Sequence, residues 1–117
     1  MRRGPLGVML GLAPFNYPLN EMYAMLIPAL LMGNTAVLKL PSIGGLVHCL
    51  TASAFAKALP PGVINFVAGS GRATMVSPNP NPHPHPHPNP TPTPTPNQAP
   101  IMQSGLVDAL GFIGGGA

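Results

Sequence analysis

LGVMLGLAPFNYPLN, residues 6–20, sets an uncharged apolar run directly against a turn made of two prolines, two aromatics and an asparagine. Leu6–Ala13 is bounded by Pro5 and Pro14 and reads as a buried strand, because a short continuous apolar run between breakers is the signature of a strand covered on both faces. The turn that follows holds more than a reversal of direction requires. Pro14 and Pro18 fix two backbone angles and leave Asn16 between aromatic neighbours. A polar amide held that rigidly after a buried strand is a candidate for chemistry, against the simpler reading in which Asn16 only caps the turn.

Outward from this stretch, Leu19–Met32 predicts a helix with Asn20 and Glu21 in its first turn, a kink at Pro28 and a stop at Gly33-Asn34. Thr35–Leu40 predicts a second strand. Gly44–Leu59 predicts a second helix, with Leu46, Leu50, Ala54 and Ala58 at four-residue spacing, ended by Pro60-Pro61-Gly62. Val63–Val67 (VINFV) predicts a third strand, Ala68–Arg72 a glycine-rich loop, and Asp108–Ile113 a fourth strand. Strands alternating with helices imply an α/β fold with a parallel sheet and crossover helices. Ligands of such sheets bind beyond the carboxyl ends of the strands. The polar or glycine-rich loops at 14–18, 39–42, 69–71 and 114–116 all follow strands, which makes that edge the expected site.

Composition limits the partners. Charged residues are 6% of the 117, against about 25% in ordinary domains. The net charge of +3 comes from five scattered cations, Arg2, Arg3, Lys39, Lys57 and Arg72, so a nucleic-acid face is not expected. Such a low charge suggests a surface normally covered by other protein. The single cysteine, Cys49, excludes an internal disulfide framework or zinc quartet and leaves a reducing, cytoplasmic compartment as the expectation. Two membrane readings fail on breakers. Gly4, Pro5, Gly7 and Gly11 interrupt the run after Met1-Arg2-Arg3, and Pro28 with Gly33-Asn34-Thr35 divides the uncharged span Met22–Leu38.

From Pro78 to Pro96 every even position is proline, alternating with Asn, His and Thr. No helix or central strand tolerates this, so 77–99 is expected to be a disordered, polyproline-like, low-complexity insertion. Strict alternation does not supply prolines three apart. His83, His85 and His87 do not share a face of a three-residue helix, which argues against a metal site. Without the insertion, GRATMV joins PIMQSGLVDALGFI as a loop, a short helix and a strand. A simple-repeat expansion, or intron sequence read as protein, accounts for the ladder. The expected organisation is a partial nucleotide-binding domain over 1–76, the insertion over 77–99, and the same domain resuming over 100–117.

Four stretches in order, GPLGVMLGLAPFNYPLN, IPALLMGNTAVLKLPS, LPPGVINFVAGSG and DALGFIGG, resemble the cofactor domain of the aldehyde dehydrogenase superfamily. The resemblance implies a partial Rossmann-like sheet and an NADP or NAD cofactor. It implies that Ala13, Pro14 and Phe15 lie along the cofactor and that Asn16 donates to the oxyanion formed when a thiolate attacks an aldehyde. Lys39 matches a family lysine at the adenosine ribose or its phosphate. Ser42 stands where NAD-preferring members often carry glutamate, which points toward NADP. Gly69 matches the family's glycine loop. Gly115 ends a stretch similar to Phe-Thr-Gly-Ser at the pyrophosphate, with Ile113 and Gly115 replacing hydroxyl residues. The spelling PFNYP is most similar to the non-phosphorylating glyceraldehyde-3-phosphate dehydrogenase branch, in which Tyr17 would help hold a substrate phosphate.

The family's nucleophilic cysteine and its general-base glutamate lie in segments with no counterpart here, and Cys49 does not match the nucleophile. The resemblance therefore implies a fragment of an NAD(P)-dependent aldehyde dehydrogenase, inactive by itself, whose complete relatives form homo-oligomers. The other reading is a small non-catalytic protein, membrane-associated or proline-rich, that only echoes the family.

Overall fold

The computed structural model describes residues 3–69 and 100–113. In chain order the elements are β1 (Val8–Leu12), α1 (Pro18–Leu31), β2 (Thr35–Lys39), α2 (Leu46–Ala58), β3 (Ile64–Val67), α3 (Pro100–Gln103) and β4 (Ala109–Phe112). The four strands form one parallel sheet in the order β3-β2-β1-β4. The α/β fold with a parallel sheet, expected from the sequence, is what the chain adopts. Each strand is one to three residues shorter than its apolar run, because the run continues into the loops on either side. The proline ladder lies outside the described residues.

The register explains the core. Met9 pairs with Ala36 and Ala109, Gly11 with Leu38 and Gly111, and Ala36 and Leu38 with Ile64 and Phe66. Paired residues share a face, since side chains alternate along a strand. On this face lies α1, whose buried residues Met22, Leu26 and Ala29 repeat at helical spacing. Met22, Leu26, Ala36 and Leu38 are wholly buried together, with Met9, Tyr23, Leu30 and Phe66 against them. The glycines of β1 and β4 make room for the helix. A Cβ on Gly11 would stand 2.7 Å from Leu38 Cδ2, and one on Gly111 would stand 2.8 Å from Met25 Sδ.

Helix α1 starts at Pro18, where the missing N–H costs nothing, and carries Glu21 in its first turn. It runs through Pro28, which deprives the Ala24 carbonyl of its intrahelical donor. It ends where the sequence predicts. Gly33 N–H reaches Leu30 O at 2.9 Å and Asn34 N–H reaches Ala29 O at 3.0 Å, with Gly33 at φ +82°, a Schellman termination. Asn34 does more than stop the helix. Its Oδ1 accepts from the Leu6 and Gly7 N–H groups at 2.6 and 3.0 Å. Asp108 likewise accepts from Val8 N–H at 2.8 Å. The amino ends of the strands are thus tied by side chains.

In α2 the stripe of Leu46, Leu50, Ala54 and Ala58 is exposed, with Leu46 and Leu50 at 82% and 80%. The face turned inward carries His48, Thr51 and Phe55 instead. No described helix is long and apolar enough to cross a membrane.

Candidate functional site at the carboxyl edge of the sheet

Register places the last residues of the strands in one row. Leu12 pairs with Lys39 on one side and Phe112 on the other, and Lys39 pairs with Val67. The row spans roughly 14 Å, at about 4.8 Å per strand step. The loops after β1, β2 and β3 therefore leave from a single edge. Backbone bonds extend the ladder past it, from Ile113 N–H to Leu12 O at 3.0 Å and from Leu40 N–H to Val67 O at 2.8 Å.

The chain runs from β1 outward through β2 to β3, then returns to place β4 on the opposite side of β1. The direction of winding reverses between β1 and β4. In open α/β sheets the crevice at such a reversal, beyond the carboxyl ends, is where ligands bind. The loop that leaves β1 at this point is Ala13–Tyr17. Ala13 is half-buried against the core, and Pro14 is half-buried. Phe15 and Tyr17 are 64% and 62% exposed, and Asn16 between them is exposed as well.

Behind the turn an open groove of about 710 Å³ runs along α1. Asn16, Tyr17, Asn20, Tyr23, Ile27 and Pro28 are among its lining residues. Ala13, Pro14 and Phe15 are not. The turn thus divides two regions, with the sheet edge before Asn16 and the groove after it. The groove wall is mostly apolar, with the Asn16 and Asn20 amides and the Tyr17 and Tyr23 hydroxyls as its polar groups. The sequence marks α1 by its first turn and its stop; that one side of it lines a groove is signalled only by Tyr23 and Pro28, whose polar and backbone-breaking characters a purely packed helix does not need.

The sequence-predicted residues fall as follows. Asn16 and Tyr17 stand together in the groove wall. Lys39 ends β2 in the edge row, half-buried, and Ser42 is exposed three residues on. Gly69 is exposed with open space beside it, so its backbone is accessible. Gly115, with Ser70, Gly71 and His83, His85 and His87, lies outside the described residues. Cys49 is exposed on α2. No cluster of metal-ligating side chains occurs among the described residues. Sequence reasoning missed His48, which is wholly buried beneath the turn. Its Nε2 lies 3.1 Å from the Pro18 carbonyl oxygen.

An open parallel sheet with crossover helices, whose winding reverses at an amide-bearing turn, is a Rossmann-like α/β fold. The family model for the aldehyde dehydrogenase family matches residues 1–79, and the chain belongs to that family. It is 46% identical over 72 residues to an NADP-dependent glyceraldehyde-3-phosphate dehydrogenase of Streptococcus equinus, covering 61% of this chain and 15% of that one. It is 43% identical over 72 residues to the enzyme of the same name from Pisum sativum, covering 57% and 14%. The crystal structure of a candidate aldehyde dehydrogenase from Burkholderia cenocepacia is 32% identical, with a TM-score of 0.49 over 60% of this chain and 15% of that one. The chain thus spans about one seventh of the length of these relatives.

Proposed function

We propose that this chain carries the cofactor-edge and oxyanion portion of an NADP-using aldehyde dehydrogenase acting on glyceraldehyde 3-phosphate or a similar phosphorylated aldehyde. The observation that carries the reading is the position of Asn16: exposed, after the strand at the winding reversal, between the sheet edge and the groove. The relatives named for NADP-dependent oxidation of glyceraldehyde 3-phosphate support the substrate and cofactor assignments.

The side chains fit NADP. The β2–α2 loop offers the Lys39 ammonium and the Ser42 hydroxyl and no carboxylate, so a 2′-phosphate meets a cation and a neutral donor there. Ala13, Pro14 and Phe15 offer backbone along the sheet edge, Gly69 offers backbone without a side chain after β3, and by resemblance Gly115 would serve at the pyrophosphate. When bound, the nicotinamide supplies the acceptor for the electrons leaving the aldehyde. The Asn16 amide donates to the carbonyl oxygen as negative charge develops on it, and a rigid turn keeps that donor oriented before the reaction begins. Tyr17, beside it in the groove wall, binds the substrate phosphate through its hydroxyl.

Asn16 and Tyr17 supply stabilisation and binding, but no nucleophile. By resemblance, the thiolate and the base lie in other segments of family members, so this chain alone is inert toward aldehydes; the same resemblance implies that the complete enzyme is a homo-oligomer. A chimera tests the assignment. Residues 3–69 replace the matching span of a complete NADP-dependent glyceraldehyde-3-phosphate dehydrogenase. The chimera is expected to oxidise glyceraldehyde 3-phosphate, and Asn16→Ala is expected to lower kcat by about 10²–10³-fold, the cost of removing one oxyanion donor. An active chimera indifferent to Asn16→Ala rejects the role.

A further inference from the structure

We infer that His48 is a positioning residue for the Asn16 turn, holding the start of α1 from behind through the Pro18 carbonyl. The inference rests on the reading of Asn16 given above.

His48 is the one buried polar residue recorded among the described side chains, at 0% exposure. Its Nε2 meets the Pro18 carbonyl at 3.1 Å. A carbonyl only accepts, so Nε2 carries the proton, and Nδ1 is the bare acceptor. Nδ1 is buried with no hydrogen-bond partner among the described residues. An orphaned buried acceptor is costly, and apolar residues would fill this space without that cost. What imidazole adds over a hydrocarbon is the directed bond to Pro18.

The contact is not isolated. The imidazole packs edge-on against Tyr23, with ring centroids 5.6 Å apart, and lies 6.1 Å from the Phe66 ring. Tyr23 lines the groove beside Asn16 and bonds through its hydroxyl to Thr51, whose hydroxyl donates to the His48 carbonyl at 2.9 Å. One turn before His48, Gly44 sits at φ +80°, and a Cβ there would stand 2.8 Å from Pro18 Cγ and 3.8 Å from the Phe15 carbonyl oxygen. The connection from β2 to α2 therefore presses on the turn at Pro18 and approaches it at Phe15, while His48 hydrogen-bonds it. Asn16 lies between those two residues. Its amide is aimed by a turn that is gripped at its far end and backed at its near one.

The groups facing the ring from each element are Pro18 and Tyr23 of α1, Phe66 of β3 and Thr51 of its own helix; Tyr23 alone among them is titratable. Glu21, the carboxylate of α1, bonds to Asn20 at 3.4 Å. Cys49 and Lys57, on α2, are both exposed.

NMR of the full 117-residue chain tests the inference without any aldehyde chemistry. In the wild type, the Asn16 side-chain amide resonances are expected to move with the same pH midpoint as the His48 ring carbons. That step is expected to vanish in His48→Gln, which keeps a donor near Nε2 but does not titrate. His48→Leu is expected to shift the Asn16 amide at neutral pH and to speed exchange of the Glu21 N–H, which bonds Tyr17 O at 3.2 Å, by roughly fivefold, as loss of one supporting hydrogen bond does. His48→Gln is expected to restore both. Asn16 resonances that ignore the His48 midpoint, or that match the wild type in His48→Leu, overturn the inference. So does a wild-type chain in which they stay at unfolded positions. Failure of the oxyanion role is read separately, from kcat of the Asn16→Ala chimera.

Discussion

On the proposed reading, a single side chain in the loop after β2 sets the charge a nucleotide would meet. Ser42 is exposed, three residues beyond Lys39, whose place in the edge row is fixed by pairing with Leu12 and Val67. An acidic side chain there would accept from ribose hydroxyls but repel a 2′-phosphate. Two like charges about 5 Å apart near a surface cost ~1–3 kcal/mol. In the chimera, Ser42→Glu is expected to weaken NADP about tenfold or more and to leave NAD unchanged or tighter. Equilibrium titrations of both cofactors measure it, and an NADP affinity that survives the substitution removes Ser42 from the selectivity. Asn16, Tyr17, Lys39 and Ser42 could be named as candidates from the sequence because each stands beside a breaker or a strand end. His48 was not, because a histidine among Leu, Val and Thr on a helix gives no sign of which face turns inward.

The elements show why that sign was absent. In α1 the four-residue spacing of Met22 and Leu26 marks the buried side, and the sequence identified the helix and its Gly33-Asn34 stop. In α2 the same spacing of Leu46, Leu50, Ala54 and Ala58 lies on the exposed side, and the inward side carries a histidine, a threonine and a phenylalanine. A helix apolar all round carries no periodic signal to separate two faces, so local pattern could place α2 but not orient it. Contacts distant in sequence turn His48 and Thr51 of α2 toward Pro18 and Tyr23 of α1, and just before the helix the Gly44 backbone lies close to Pro18. Gly44→Ala would put a side chain on a left-handed residue and 2.8 Å from Pro18 Cγ. Both effects oppose folding, by about 1–3 kcal/mol. Urea unfolding of the chain is expected to show a lower midpoint with an unchanged slope. An unchanged midpoint would mean that the loop and the turn separate freely.

For the whole molecule the sheet order was the part that no local pattern contained. Strand existence and parallel pairing follow from alternation with helices, but the placement of β4 beside β1 depends on contacts between residues about a hundred apart, among them Asp108 with Val8. That placement creates the winding reversal on which the site depends. The domain is small and keeps large apolar groups exposed, Phe15, Leu46, Leu50 and Phe112 among them, and hence has little stability in reserve. Against so small a reserve, one buried titratable group has a visible effect. Burial holds the His48 imidazole below its ordinary value of 6.5, and the bond to the Pro18 carbonyl opposes this only in part. The folded chain thus binds this proton less readily than the unfolded chain does. Below 6.5 the unfolded state gains a proton that the folded state resists, so stability falls as pH drops from about 6.5 to the lowered value and is constant above. In the wild type the melting temperature is expected to be lower near pH 5.5 than at neutral pH. His48→Gln lacks this buried imidazole and is expected to lose the part of the difference that burial of His48 causes. A wild type that is equally stable at both ends would show that water reaches the imidazole and that the ring does not sit sealed between α1, α2 and β3.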